Sequence, residues 1–401
     1  MKKFSKNAIL LLFCLLINNI SSIFIYTYLL AFILNISSNG IVNVAKFYLV
    51  LHISMILLSL CIAPIIKKSK NSLFLKIGVI FKCVFVISIV LLGNKIINYV
   101  WLIAICNGIG EVLFWSGANS LQPNVTTKKS LQGFISLSKI LNTMLSLIIP
   151  IIMGYFIDKI GMVLIAITMF ILTIIQFCVS LFIKENCIER VSKIRFKKFL
   201  LQVKSSYPQY KHVYLNQMLY GFCSNTSMLV LYFTVITFGS NISLGVFATI
   251  SSILSIVVLF VYNLKKKHFS NYIYSIISSI AVIVGVVLLL VDLNRTTLII
   301  FYMFWHLTII VPEMITGATR LNISQHNNLK VYNIENITIS EVFLDGGRVI
   351  GEILLLVMGL IGNKVFDIIV FGIMCVVISL YFVHTYFINK HYVIDDEKVI
   401  S

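Results

Sequence analysis

Acidic residues are scarce in this chain. Asp and Glu together number 14 in 401 residues, and charged residues of all kinds make up 11%. A soluble domain carries roughly 25%, so a water-facing globular surface is excluded. Proline is rarer still, at 5, and little therefore interrupts helix. The eight cysteines form no CxxC pair and fall mostly inside apolar runs. That excludes a disulfide framework and leaves them as small core hydrophobes. There is no glycine-rich phosphate loop of the P-loop kind and no His/Cys metal spacing. ATP-driven pumping by this chain alone, a bound cofactor and a metal site thus have no residues to carry them. The seven histidines, His52, His212, His268, His306, His326, His384 and His391, form no catalytic cluster, which argues against an enzyme.

What is present is apolar. Hydrophobic residues make up 59% of the chain and the mean hydropathy is +1.00, so this is a polytopic membrane protein whose first partner is the lipid bilayer. A net charge of +18 would ordinarily raise nucleic acid as a partner. The basic residues instead sit in short segments between apolar spans, the positive-inside pattern, so no nucleic acid is expected. Met1, Lys2 and Lys3 with the run behind them imitate a signal peptide. The run continues to about Ile33 with no small-residue cleavage site, so it reads as a retained first helix.

A span needs about 20 apolar residues. Twelve are expected, at about 8–33, 44–65, 73–93, 98–119, 132–156, 162–183, 213–237, 243–262, 270–291, 297–318, 338–361 and 365–388. With the N-terminus inside, the cytoplasmic segments hold 24 Lys and Arg against 5 outside, with three inside spans. One miscounted span would collapse that asymmetry, so both termini are placed in the cytoplasm and the chain in the cell membrane. The longest polar connection, about Lys184 to His212, carries eight basic residues including Arg195, Lys197 and Lys198. It reads as a linker lying against the anionic inner leaflet. The fold class is all-α integral membrane, twelve helices in two six-helix halves. The N-terminal bundle is 1–184, the basic linker 185–212, the C-terminal bundle 213–390 and a cytoplasmic tail 391–401.

The halves carry a trace of repetition. At an offset of 206 residues Asn19 matches Asn225, Ser21 matches Ser227 and Tyr26 matches Tyr232. Both sets are polar patches within apolar spans. Transporters built from repeated halves hold their site at the repeat interface, so Asn19, Tyr26, Asn225 and Tyr232 are expected to line a substrate cavity. Helix–helix hydrogen bonding is the alternative.

Charge inside spans is the other signal. Glu341, Asp345, Arg348 and Glu352 are spaced i, i+4, i+7 and i+11, one face of a helix, and lead straight into the apolar run Ile353 to Ile361. Such a stripe is tolerable only against a bundle interior or a watery cavity. Arg348 is expected to pair with Asp345 or Glu352; a salt-bridged structural knot is the competing reading. Adjacent Gly346 and Gly347, with Gly351, permit close packing. The fourth span sets Asn107, Gly108, Glu111 and Trp115 on one face, with Asn107 and Trp115 as cavity candidates. Glu111 is some 13 residues from the outer end, roughly 20 Å at 1.5 Å per residue, near the midplane. A carboxyl there suits proton uptake and release; a structural hydrogen bond to a neighbouring helix or to Lys82 is the alternative. The tenth span supplies His306 as a cavity candidate and Glu313 beside Pro312, which bends the helix. Glu111, Glu313 and Glu352 are the proton-coupling candidates, and Lys82 and Lys139 are expected to snorkel.

The chain resembles the major facilitator superfamily in its twelve expected spans, inner termini and basic central loop. The family's loop after the second span commonly reads G-x-L-a-D-R-x-G-R-K; here Ala63, Pro64, Ile65, Ile66, Lys67, Lys68, Ser69, Lys70 and Asn71 keep its basic character, with Lys67 at the acid's place. The fourth-span R-x-x-q-G keeps only its tail, in Asn107 and Gly108, and the exporter signature G-P-x-x-G-G is reduced to Pro150 and Gly154. The run Phe343 to Arg348 is similar to one in small bacterial members. The resemblance implies a secondary active transporter that moves a small-molecule substrate by alternating access. Protons are the most economical coupling ion for the three carboxyls named. Export of a small amphipathic or hydrophobic compound of the antibiotic kind is the preferred direction. A nutrient-uptake symporter is the nearest competitor, and the changed loop acid motivates a third reading, a transporter-like receptor or scaffold with no flux.

Overall fold

In the computed structural model the described residues are 4–37, 39–126, 128–184, 194–206, 210–265, 271–325 and 332–388. The expected tail 391–401 lies outside them, as do 185–193 and 207–209 of the expected linker. The described residues are helical almost throughout. In order the helices are α1 (Lys6–Ile23), a π-helical segment (Phe24–Leu29), α2 (Leu30–Ile36), α3 (Gly40–Ile66), α4 (Asn71–Leu92), a 3-10 segment (Gly93–Tyr99), α5 (Val100–Val125), α6 (Lys128–Ile160) and α7 (Met162–Leu181). Then follow α8 (Phe196–Ser206), α9 (Tyr210–Phe238), α10 (Asn241–Lys265), α11 (Asn271–Val291), α12 (Arg295–Gln325), α13 (Asn333–Ile361) and α14 (Lys364–Ile388). The expected spans fall on these helices with their ends shifted by a few residues, the first running through α1, the π-helical segment and α2.

Ten stretches among the described residues are long and apolar enough to cross a membrane, and the chain is a multi-pass membrane protein. One of the ten, Asn71–Gln122, is 52 residues long, more than twice the roughly 20 that a crossing needs. It folds back on itself. A side chain at Gly78 would meet the backbone of Phe114, and one at Gly117 the backbone of Leu75. Pairs that converge in this way define an antiparallel hairpin, turned at Gly93 with a positive φ of 49°. Helix α13 is not among the ten; its acids and arginine interrupt the apolar window.

The chain divides into two compact units, Met1–Lys193 with Phe238–Ser252, and Ile194–Thr237 with Ile253–Ser401. In the first unit α1 and α6 run parallel. The Tyr28 hydroxyl donates to the Pro150 carbonyl, and the Asn19 amide to the Asn142 carbonyl at 3.3 Å. Gln176 of α7 donates to the Cys14 carbonyl of α1 at 2.9 Å. Pro150 has no N–H, which leaves the Ser146 carbonyl without its helical partner; the Ser252 hydroxyl of α10 donates to it at 3.2 Å.

In the second unit α9 and α13 run parallel, the Tyr214 hydroxyl donating to Asn336 Oδ1 at 2.7 Å and the Asn225 amide to the Arg348 carbonyl further along, and their backbones come close. A side chain at Gly221 would strike the Leu344 carbonyl, and one at Gly347 the Met218 carbonyl. Asn216 ties three helices: its amide donates to Thr316 of α12 at 2.8 Å, and its carbonyl accepts from Thr385 of α14 at 3.1 Å. Pro312 frees the Thr308 carbonyl, and the Tyr274 hydroxyl donates to Leu307 and Thr308 at 2.8 and 3.3 Å. Helix α8 buries Phe199 and Val203 against Val213, Tyr214, Ile339 and Ile388, and the Arg195 N–H beside it donates to Glu335 at 3.0 Å.

The repeat seen in the sequence recurs in the hydrogen bonds. Asn19 donates to the Asn142 carbonyl, and Asn225 to the Arg348 carbonyl at 3.1 Å. Both partners are 123 residues on, so the offset of 206 holds at each end of the bond.

Candidate functional site

The α4–α5 hairpin builds the first cluster. Glycines at the crossing bring the two backbones close, and Lys82, one turn beyond Gly78, meets Glu111 across the gap. Lys82 Nζ and Glu111 Oε1 are 3.0 Å apart, with side chains only 2% and 5% exposed. The second carboxylate oxygen accepts from Trp115 Nε1 at 2.8 Å. Lys82 Nζ also donates to Asn18 Oδ1 of α1 and stands 4.6 Å from the centre of the Phe114 ring. Two opposite charges in a dry site are stable only when well bonded, because desolvation offsets much of their attraction. Here each has a second polar partner. Lys82 does not snorkel; its head is fixed in the interior.

Asn107 is wholly buried one turn from Glu111, while Trp115 is 40% exposed. Tyr26 belongs to the π-helical segment and is half-buried. Its ring stacks on Tyr48 of α3 at 6.2 Å and 12°, and Tyr48 stacks on His52 at 5.8 Å and 9°. The Asn19 amide bonds α6, as described, so it is engaged in helix–helix bonding.

In the second unit the charged stripe lies along α13. Arg348 pairs with Asp345 at 2.8 Å, an i,i+3 contact, with the Arg348 side chain 25% exposed. Glu341 pairs with Arg320 of α12 at 2.7 Å, both about a third exposed. Glu352 is buried on the same helix. Glu313 is exposed and hydrogen-bonds Tyr220 of α9. Asn225 is buried against α13, and a side chain at Gly351 would collide with its amide. Tyr232 packs beside Phe233 at 5.4 Å, and His306 against Tyr302 at 4.5 Å.

The structure therefore brings Glu111 and Trp115 into one cluster and Asp345 and Arg348 into another. Sequence reasoning missed Asn18, Arg320 and Tyr220; it offered Lys82 as the alternative, structural partner of Glu111 while also expecting it to snorkel. A lysine in the middle of an apolar run was the available signal for Lys82. No periodicity announces the others, whose partners are on different helices. Among the described residues no group of three or more metal-ligating side chains gathers.

No family model matches the chain. It is 24% identical over 314 residues to an uncharacterized protein, YqgE, of Bacillus subtilis, covering 75% of this chain and 70% of that one. Three solved structures share its fold. A mutant form of the nucleoside transporter NupG superposes with a TM-score of 0.68 at 12% identity, over 95% of this chain and all of that one. A D-xylose-proton symporter gives 0.67 at 10% identity over 94% and 96%, and a bacterial metal transporter 0.65 at 11% over 96% and 98%. What the chain shares with these three transporter structures is the fold.

Proposed function

We propose that this chain is a proton-coupled secondary transporter, not an enzyme, that moves a small molecule by alternating access. The observation that carries the reading is the Lys82–Glu111 pair, a buried carboxylate held between membrane helices of a transporter fold. Intramembrane ionisable groups mark ion and substrate pathways. Protonation of Glu111 would remove its charge and shift the balance between conformations. Glu313 and Glu352 are the further coupling carboxyls in this reading. Asp345, Arg348 and Glu341 form the charge network, and Asn19, Tyr26, Asn107, Trp115, Asn225, Tyr232 and His306 line the substrate's path.

The membrane arrangement belongs to the same proposal. Counting α4 and α5 as separate crossings, and α13 as one more, gives twelve, in two six-helix halves, with both termini in the cytoplasm of a cell-membrane protein. Reporter fusions at Lys204 and Ser401 are expected to read cytoplasm; an outside signal from either removes the arrangement.

Export of a small amphipathic compound is the direction we favour, on the remnant at Pro150 and Gly154. Uptake is the second reading, favoured by the names of the nucleoside transporter and the D-xylose-proton symporter. Purified protein in vesicles with a trapped pH-sensitive dye separates them. Nucleosides, pentoses and amphipathic organic acids and bases are added on either side, and proton movement is followed. Proton flux on addition of a compound supports the transporter, and its sign gives the direction of coupling. No flux beyond empty vesicles for any compound favours the receptor or scaffold. Glu111→Gln is expected to abolish proton-driven uphill transport while substrate binding or exchange by the protein that folds stays largely intact; normal uphill flux removes this residue from the mechanism.

A further inference from the structure

The Lys82–Glu111 cluster is neutral as it stands. Glu111 faces the Lys82 cation from α4 and the uncharged Asn18 from α1. Helix α3 meets α5 one turn away, at Gly108, through the neutral Leu51 and Ser54. The helix of Glu111 itself contributes Trp115. One cation and one anion, both nearly dry, thus balance each other.

Beside them are polar atoms with nothing to bond. Asn107 is wholly buried and Ser21 nearly so. Neither atom of the Asn107 amide, nor the Ser21 hydroxyl, has a hydrogen-bond partner among the described residues. Their placement is set by helix direction. Ser5 of α1 bonds the Val125 carbonyl at the end of α5, and Asn18 reaches the level of Glu111 through Lys82, so α1 and α5 are antiparallel. Ser21 lies three residues beyond Asn18, and Asn107 four before Glu111. Both therefore fall on the same side of the ion pair, about one turn along. Buried polar groups are normally bonded. Two such side chains beside a buried cation mark a place where a polar ligand completes the set.

We infer that this cluster takes up a proton together with a small organic monoanion of the carboxylate class. The inference rests on Glu111 as the proton-coupled carboxyl. A proton from water adds to Glu111 and makes it neutral. Lys82 keeps its own proton, and the cluster then carries a charge of plus one with almost no access to water. The anion restores neutrality: one oxygen accepts from Lys82 Nζ in place of Glu111, and Asn107 and Ser21 donate to the other. Trp115 keeps its hydrogen bond to Glu111. A neutral or cationic substrate would leave the buried cation uncompensated, the arrangement proteins tolerate least. Linkage makes the coupling mutual, so proton uptake tightens anion binding and the anion tightens the proton. An amphipathic organic acid satisfies both this site and the proposed substrate class.

Formate, the smallest carboxylate, is the probe. Its stabilisation of purified protein is read from the thermal unfolding midpoint at constant ionic strength, with sodium sulfate as the balancing salt. For the wild-type chain the half-saturating formate concentration is expected to fall by at least about tenfold from pH 8 to pH 5, within the usual range of coupling. Glu111→Gln, fixed in the proton-bound form, is expected to show the tight value at both pH values. Lys82→Met/Glu111→Gln is expected to lose the response. A wild-type response that is absent or flat with pH overturns the inference, as does an equal response in the double variant. Should Glu111→Gln fail to fold, its recovery by formate supports the inference, and failure of formate to recover it counts against. The transport reading is separable. If Glu111→Gln loses uphill flux while wild-type formate binding is flat with pH, the anion site falls and proton coupling stands.

Discussion

In the first unit the ionisable side chains meet across two helices; in the second they run along one. Lys82 and Glu111 come from α4 and α5 and are almost wholly enclosed. Asp345 and Arg348 are a turn apart on α13, and Arg348 keeps a quarter of its side chain exposed. Yet both units repeat the same Asn-to-carbonyl bond. By that register, Lys139 of α6 stands where α13 has Asp345, Asn142 where it has Arg348, and Ser146 where it has Glu352. The two units share this bond and differ in where their charges stand. A polar helix–helix bond fixes register whatever charges the surrounding helices carry.

The largest expected effect tests the enclosure of the first pair. Glu111→Gln or Lys82→Met alone strands a buried charge or its partner, for a loss of about 3–5 kcal/mol in unfolding free energy. The double substitution is expected to recover most of it. Single variants as stable as wild type in detergent unfolding would show the first pair to be no tighter than the second. The next effect concerns close packing on the other side of the comparison. Gly347→Ala drives a methyl into the Met218 carbonyl, for about 1–3 kcal/mol of overpacking. Its neighbour Gly346 faces open space, so Gly346→Ala gains up to about 1 kcal/mol of helix propensity. Equal effects at the two positions would refute the register of α9 on α13.

Smaller again is Asp345→Asn. It weakens a charge-assisted bond worth about 2 kcal/mol, less than the loss at Glu111 because solvent reaches Arg348 and screens it. A larger loss than at Glu111 would invert the comparison. Smallest are Asn19→Ala and Asn225→Ala, at about 0.6 kcal/mol each, the usual worth of a hydrogen bond between membrane helices. Their likeness matters more than their size. A difference above about 1 kcal/mol breaks the equivalence of the two halves at this bond.

Much of this was legible in the sequence, and for identifiable reasons. Membrane helices announce themselves by length and apolarity, and the expected spans fall on helical segments, ten stretches of which are long and apolar enough to cross a membrane. Arg348 with Asp345 was legible because an i,i+3 pair needs only one helix. Asn19 and Asn225 were legible as a matched pair, although the carbonyls they bond were not. Lys82 was named as the alternative partner of Glu111 but also expected to snorkel, because its partner is 29 residues away across a turn and helical periodicity says nothing about what faces a residue from another helix. Arg320 with Glu341 escaped for the same reason. The π-helical segment at Tyr26 left no mark in composition, since it differs from its flanks by one residue of register and not by residue type.

The hairpin also bears on how the chain is made. A lysine near the middle of a membrane helix opposes insertion by about 2.5–3.5 kcal/mol, and an acid does so similarly. Helices α4 and α5 would each meet that barrier if delivered to the lipid singly. They are joined by the seven-residue 3-10 segment Gly93–Tyr99, too short to let them part, and each carries the counter-charge of the other. They therefore enter at least expense as a pair, already neutral. By this estimate the contact proposed to move protons in the finished protein would also lower the cost of placing α4 and α5 in lipid.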